Sequence, residues 1–115
     1  MDKITDLTFL KSFTSGDQSK LTKYITMFVN GAQGSLEQMK QHMAAGEWPS
    51  LKTSAHSIKS QVKYMGIRDA EELAIAIEKN AGEQSNLEHL PEMISKLEDI
   101  TNRACLELKD ELGKL

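Results

Sequence analysis

Lys52, His56, Lys59 and Lys63 carry the strongest chemical signal in this sequence. Advancing roughly 100° per residue, as an α-helix does, they fall in one strip roughly 80° to 140° from the apolar line Leu51, Ala55, Ile58, Val62 and Met65. A histidine among three lysines, on a face turned away from the core, suits phosphoryl chemistry. Imidazole is substantially neutral near physiological pH, and the neutral ring is a competent nucleophile toward phosphorus. The ammonium groups beside it can neutralise the oxygens of an arriving phosphoryl group, and Lys59, at i+3, is the best placed. Ser60, at i+4, is small enough to leave the ring open and can donate a hydrogen bond to a phosphoryl oxygen. From Trp48 through Arg68 there is no acidic residue, so this stretch carries +4 and leaves −7 for the remainder of a chain whose net charge is −3. The positive field is therefore concentrated around His56.

Other chemistries fit these residues less well. His42, His56 and His89 lack the short spacing of metal ligands, no acid adjoins His56 along the chain, and the single Cys105 has no partner thiol. Ser54, Ser57 and Ser60 surround His56, but the stretch contains no carboxylate to complete a hydrolytic triad. There is no glycine-rich phosphate loop, which argues against an ATP-binding kinase. The acidic overall balance gives no indication of nucleic acid as a partner. No leader pattern and no run of roughly 20 apolar residues is present, so no membrane association and a cytoplasmic location are expected.

The elements that must position His56 are helices. The 115 residues, 39% hydrophobic and 27% charged, predict one domain over residues 1–115, and only two prolines and seven glycines punctuate them. Strand-like alternation is missing. Asp6 is placed to cap a short opening helix with Phe9, Leu10 and Phe13 on one side, stopped by Ser15-Gly16. Leu21, Ile25, Phe28, Ala32, Leu36, Met39 and Met43 then recur at steps of three and four up to Gly46, with a bend or break expected at Gly31 and Gly34. The helix bearing His56 begins at Trp48-Pro49. After Gly66 a further helix carries Ala70, Leu73, Ala74, Ile77 and Ala81 on one face, with Asp69 in its first turn, and closes at Gly82. Ser85-Asn86-Leu87-Glu88 has capping-box spacing, though Pro91 points to a later start for the last helix, whose stripe reads Met93, Leu97, Ile100, Ala104 and Leu108. The fold class predicted is all-α, an antiparallel four-helix bundle with a short additional N-terminal helix covering one end.

Ala55-His56-Ser57-Ile58-Lys59-Ser60, followed by Met65-Gly66 and by Ile77-Glu78 on the next helix, resembles the histidine phosphotransfer (HPt) domain family. The resemblance covers most of the chain, while the first segment and the last helix match only in character. It implies that His56 is the phosphorylated residue, that Lys59 neutralises the phosphoryl group and that Gly66 is the helix-terminating glycine. The position after the lysine is most often glycine in the family and is Ser60 here, which narrows access slightly. Lys52 and Lys63 are candidates for partner docking. The resemblance further implies a phosphoryl carrier without catalytic activity or cofactor of its own. Its partners would be response-regulator receiver domains, which supply the reactive aspartate and Mg²⁺, and a hybrid sensor histidine kinase. A monomer is the default. The main competing function is a non-phosphorylated helical adaptor that binds a signalling partner through the same face; a phosphatase acting on its partner is a weaker third.

Overall fold

Asp17 starts the first long helix: its carboxylate accepts a hydrogen bond from the Lys20 backbone N–H at 3.1 Å. In the computed structural model, which describes residues 3–115, this helix is the second of five. They are α1 (Thr8–Phe13), α2 (Gln18–Ala44), α3 (Trp48–Tyr64), α4 (Arg68–Glu83) and α5 (Leu90–Lys114). Each long helix packs on two neighbours in a closed ring, α2 and α4 both lying between α3 and α5, and the α3–α4 contact is the most extensive. This is the four-helix bundle that the periodicity predicts.

The expected interruption of α2 does not occur. The helix runs unbroken past Gly31 and Gly34, both exposed, while Leu21, Ile25, Phe28, Ala32, Leu36 and Met39 are buried along its inner face. Each glycine costs about 1 kcal/mol relative to alanine, whereas each large buried side chain contributes about 1.5–3 kcal/mol, so packing outweighs propensity. Two further sequence expectations are corrected, and the later start that Pro91 indicates for the last helix is met. Helix α4 continues past Gly82 to Glu83 and ends where Gln84 adopts a left-handed conformation (φ 50°). Gly82 serves close approach instead, since a Cβ there would lie 3.1 Å from the Lys52 Cδ. The Ser85–Glu88 capping box does not form; Leu87–His89 make a 3₁₀ turn, and α5 begins at Leu90 with Pro91 in its first turn, where a missing N–H leaves no bond unmade. The inner face of α5 is also rotated from the one expected: Leu90, Ile94, Leu97, Thr101, Ala104, Cys105 and Leu108 are buried, with Met93 and Ile100 at the margins.

Residues 3–14 close one end of the bundle. Within α1, Leu10 is buried, whereas Phe9 and Phe13, expected to share its side, stay about half exposed. Asp6 accepts from the Thr8 N–H at 2.9 Å, one residue away from the formal cap position. The Asp6 N–H donates to the Met65 carbonyl at 3.1 Å. On the other side, the N–H groups of Ile4 and Thr5 and the Thr5 hydroxyl all donate to the Glu107 carboxylate, and Lys3 pairs with Glu111. Among the described residues no helix is long and apolar enough to cross a membrane.

Thr101 is fully buried and its hydroxyl has no hydrogen-bond partner among the described residues. A buried, unsatisfied hydroxyl is destabilising, so Thr101→Val is expected to stabilise the fold by about 1 kcal/mol, read as a rise in Tm of about 4 °C. A fall in Tm would show that the hydroxyl has a partner in solution.

Candidate functional site

The site is built where α3 and α4 run antiparallel. His56 and Glu78 stand at equal distances in sequence from Ile67 in the connecting turn, as do Lys52 and Gly82, and each pair meets across the helix contact. His56 Nδ1 lies 2.8 Å from Glu78 Oε2, and Lys59 Nζ lies 3.0 Å from Glu78 Oε1. One carboxylate thus holds both groups, one oxygen to each.

An ionised carboxylate can only accept, so the proton of the neutral imidazole sits on Nδ1 and the lone pair on Nε2. The His56 side chain is 62% exposed, which leaves Nε2 the nitrogen available to a partner protein. Glu78 is 19% exposed. Partial burial alone pushes its carboxyl upward, but the hydrogen bonds from Lys59 and His56 outweigh this and hold it below the usual carboxylate range.

Because the carboxyl titrates lower in the folded than in the unfolded chain, Glu78 adds stability at neutral pH and loses it as the pH falls through and below about 4.3, the ordinary glutamate value. We therefore expect the parent chain to melt a few degrees above Glu78→Gln at neutral pH, with the gap closing in acid. A gap of constant size across that range would show that the carboxylate charge is not what stabilises the pair.

The structure brings His56 and Lys59 together on Glu78, with Ser60 on the same helix, and corrects the expected surroundings of Lys59. Lys59, expected on the open face, is 26% exposed, because the α3–α4 groove draws its ammonium onto Glu78. Lys52 is exposed, but its stem lies against α4 at Gly82. Lys63 and Ser60 are exposed on the outer face, Ser60 one turn beyond His56. Lys52 and Lys63 make no ion pair among the described residues, so the cations left uncompensated flank the imidazole rather than touch it. The acid-free stretch is thus a property of the chain and not of the space around His56. Glu78 is the site residue that charge counting missed. Its signal was the Ile77-Glu78 pair together with a hairpin register centred on Ile67, which places position 78 opposite 56. Gly66, at φ +66°, ends α3 as expected.

A helical bundle that displays an exposed imidazole, oriented by a carboxylate and flanked by cations, is suited to carrying a phosphoryl group. The sequence matches the Hpt domain family over residues 23–114, and the chain belongs to that family, with a histidine phosphotransfer role in phosphorelays. In fold it is similar to histidine-containing phosphotransfer protein B (HptB) from Pseudomonas aeruginosa PAO1, with a TM-score of 0.89 at 20% identity over 100% of this chain and 99% of that one. No curated protein matches the sequence significantly.

Proposed function

We propose that His56 accepts a phosphoryl group from the phosphoaspartate of one receiver domain and passes it to the aspartate of another. The observation that carries this reading is the 2.8 Å contact between His56 Nδ1 and Glu78, which directs the Nε2 lone pair to the exposed face. In the forward step Nε2 attacks phosphorus, the P–N bond forms, and the P–O bond to the receiver aspartate breaks with the carboxylate as leaving group. No proton has to move. The hydrogen stays on Nδ1, and the positive charge that develops on the ring is met by Glu78, held in place beforehand. Lys59 gives one of its three N–H bonds to Glu78 and keeps two for phosphoryl oxygens. The reverse step releases a neutral imidazole by the same path.

We assign the Mg²⁺ of this chemistry to the receiver that supplies the reactive aspartate. Lys52 and Lys63 supply positive potential for docking. Receiver domains and a hybrid sensor histidine kinase are the partners, the chain acts as a cytoplasmic monomer, and it contributes the nucleophile but no turnover of its own. The phosphotransfer function in the name of HptB agrees with this reading.

The test is transfer from a labelled phospho-receiver. Label should move to this chain in an acid-labile, alkali-stable form, as a phosphoramidate requires, and be chased into a second unlabelled receiver. Binding without label uptake would overturn the proposal in favour of an adaptor. Size at Ser60 gives a sharper check, because that position lies about 40° further round the helix than His56 and faces whatever docks there. Ser60→Gly or Ser60→Ala should retain most transfer, whereas Ser60→Leu should slow it by about tenfold or more while keeping or raising Tm, since leucine favours the helix. Transfer by Ser60→Leu at the parent rate would place the docking face elsewhere.

A further inference from the structure

Of the seven glycines, only Gly66 and Gly82 have another group within 4 Å of where a Cβ would sit. At Gly66 that group is Asp6 of the closing segment. At Gly82 it is one charged side chain: a Cβ would lie 3.1 Å from Lys52 Cδ, 3.3 Å from Cε and 3.6 Å from Nζ. Glycine weakens a helix that continues through it, as α4 does, so the bare backbone at this exposed position calls for a reason. The Lys52 contact supplies one. With no Cβ in the way, the outer half of the lysine side chain rests directly on α4.

Lys52 stands one turn before His56 on α3, and Gly82 one turn after Glu78 on α4, so the two meet in the same groove as the imidazole and its carboxylate. The two lysines of this groove end differently. Lys59 gives its ammonium to Glu78, whereas Lys52 lays its stem on α4 and makes no ion pair among the described residues. A lysine is among the side chains that lose most rotamer freedom when fixed. Where the stem already rests on α4, part of that loss is taken on folding and not on binding, so a partner meets a preset cation. We infer that Gly82 is a positioning residue, seating the Lys52 stem so that its ammonium is presented beside His56 to a carboxylate of the docked receiver domain. A receiver that holds Mg²⁺ must carry carboxylates around its aspartate, which makes an acidic group the complement expected there. The inference rests on the receiver reading of the site and goes beyond it. Lys63, exposed and without an ion pair among the described residues, supplies general attraction, while Lys52 supplies a contact of fixed place.

The free chain provides the first test. Side-chain carbon relaxation by NMR should show Lys52 Cε more restricted than Lys63 Cε, and Gly82→Gln, whose side chain occupies the seat, should bring Lys52 to the mobility of Lys63. Equal mobility of the two lysines in the parent would remove the seat, whatever the chain does with phosphate. The second test measures transfer from a receiver labelled by a small phosphoryl donor. Lys52→Met should raise the receiver concentration for half-maximal transfer by about fivefold and Gly82→Gln by about threefold, with the rate at saturation unchanged. The double variant should match Lys52→Met alone, because seat and ammonium act as one. Gly82→Ala, which shifts the stem by only a few tenths of an ångström, should stay near the parent. Both substitutions at Gly82 should hold or raise Tm, since glycine is the poorer helix former. Additive losses in the double variant would mean that glutamine at position 82 obstructs docking directly, and parent-like transfer by Gly82→Gln would mean that the seat does not serve docking. Either result overturns the inference while leaving His56 as the carrier. A parent chain that takes no label from any receiver overturns the site reading and the inference with it, even where the relaxation result stands.

Discussion

His56→Gln is expected to reduce phosphoryl uptake from a labelled receiver to background while leaving the bundle folded. His56 is more than half exposed, so glutamine meets no packing constraint there, and its amide can still bond to Glu78. What it lacks is a ring nitrogen with a free lone pair. The structure adds a regiochemical expectation. Because Glu78 occupies Nδ1, phosphorus should be found on Nε2, which phosphorus and nitrogen NMR of the labelled parent chain can distinguish. Label persisting in His56→Gln would move the acceptor to another residue. Phosphorus on Nδ1 of the parent would mean that the Glu78 contact is broken in the reactive state.

The largest effect on stability is expected at Gly66. This residue has φ +66°, a conformation that costs an L-residue about 1 kcal/mol. Gly46 has nearly the same conformation (φ +68°) with open space around it. At Gly66 a Cβ would overlap the Asp6 carbonyl oxygen and lie 2.7 Å from the Asp6 Cβ, so the N-terminal segment would have to lift away. Lifting it also removes the Asp6 bond to Met65 and strains the contacts to Glu107. Gly66→Ala should therefore cost about 2–4 kcal/mol and Gly46→Ala only about 1 kcal/mol, compared by denaturant unfolding. Equal losses would show that the close approach of Asp6 contributes nothing.

These two residues also show what could be read from the chain alone. Gly66 as a helix stop, the starts of α2 and α3, and the buried lines of α2, α3 and α4 follow from local chemistry and periodicity, which depend on near neighbours. His56 and Lys59 were legible because they share one helix. Glu78 was not singled out for a role, because periodicity reports which face of a helix is buried but not which residue stands across from it. The glycines failed for a related reason. Propensity treats Gly31 and Gly82 as breaks, whereas packing along α2 holds the first within an intact helix, and the second allows α4 to approach the Lys52 stem. On α5, Thr101 displaced Ile100 from the centre of the buried line, a rotation that residue type alone does not predict.

The His56 imidazole, the Lys59 ammonium and their shared carboxylate all come from two consecutive helices joined by a tight turn at Gly66. The chain entropy lost in bringing them together is that of a short loop, and it does not grow with the length of the helices outside this pair. Contacts between α2 and α5, which join distant parts of the chain, close the bundle but contribute none of the three groups. The centre is therefore encoded almost locally. Substitutions can accumulate in the first and last helices, changing stability, without disturbing the geometry that holds His56 and Lys59 on Glu78.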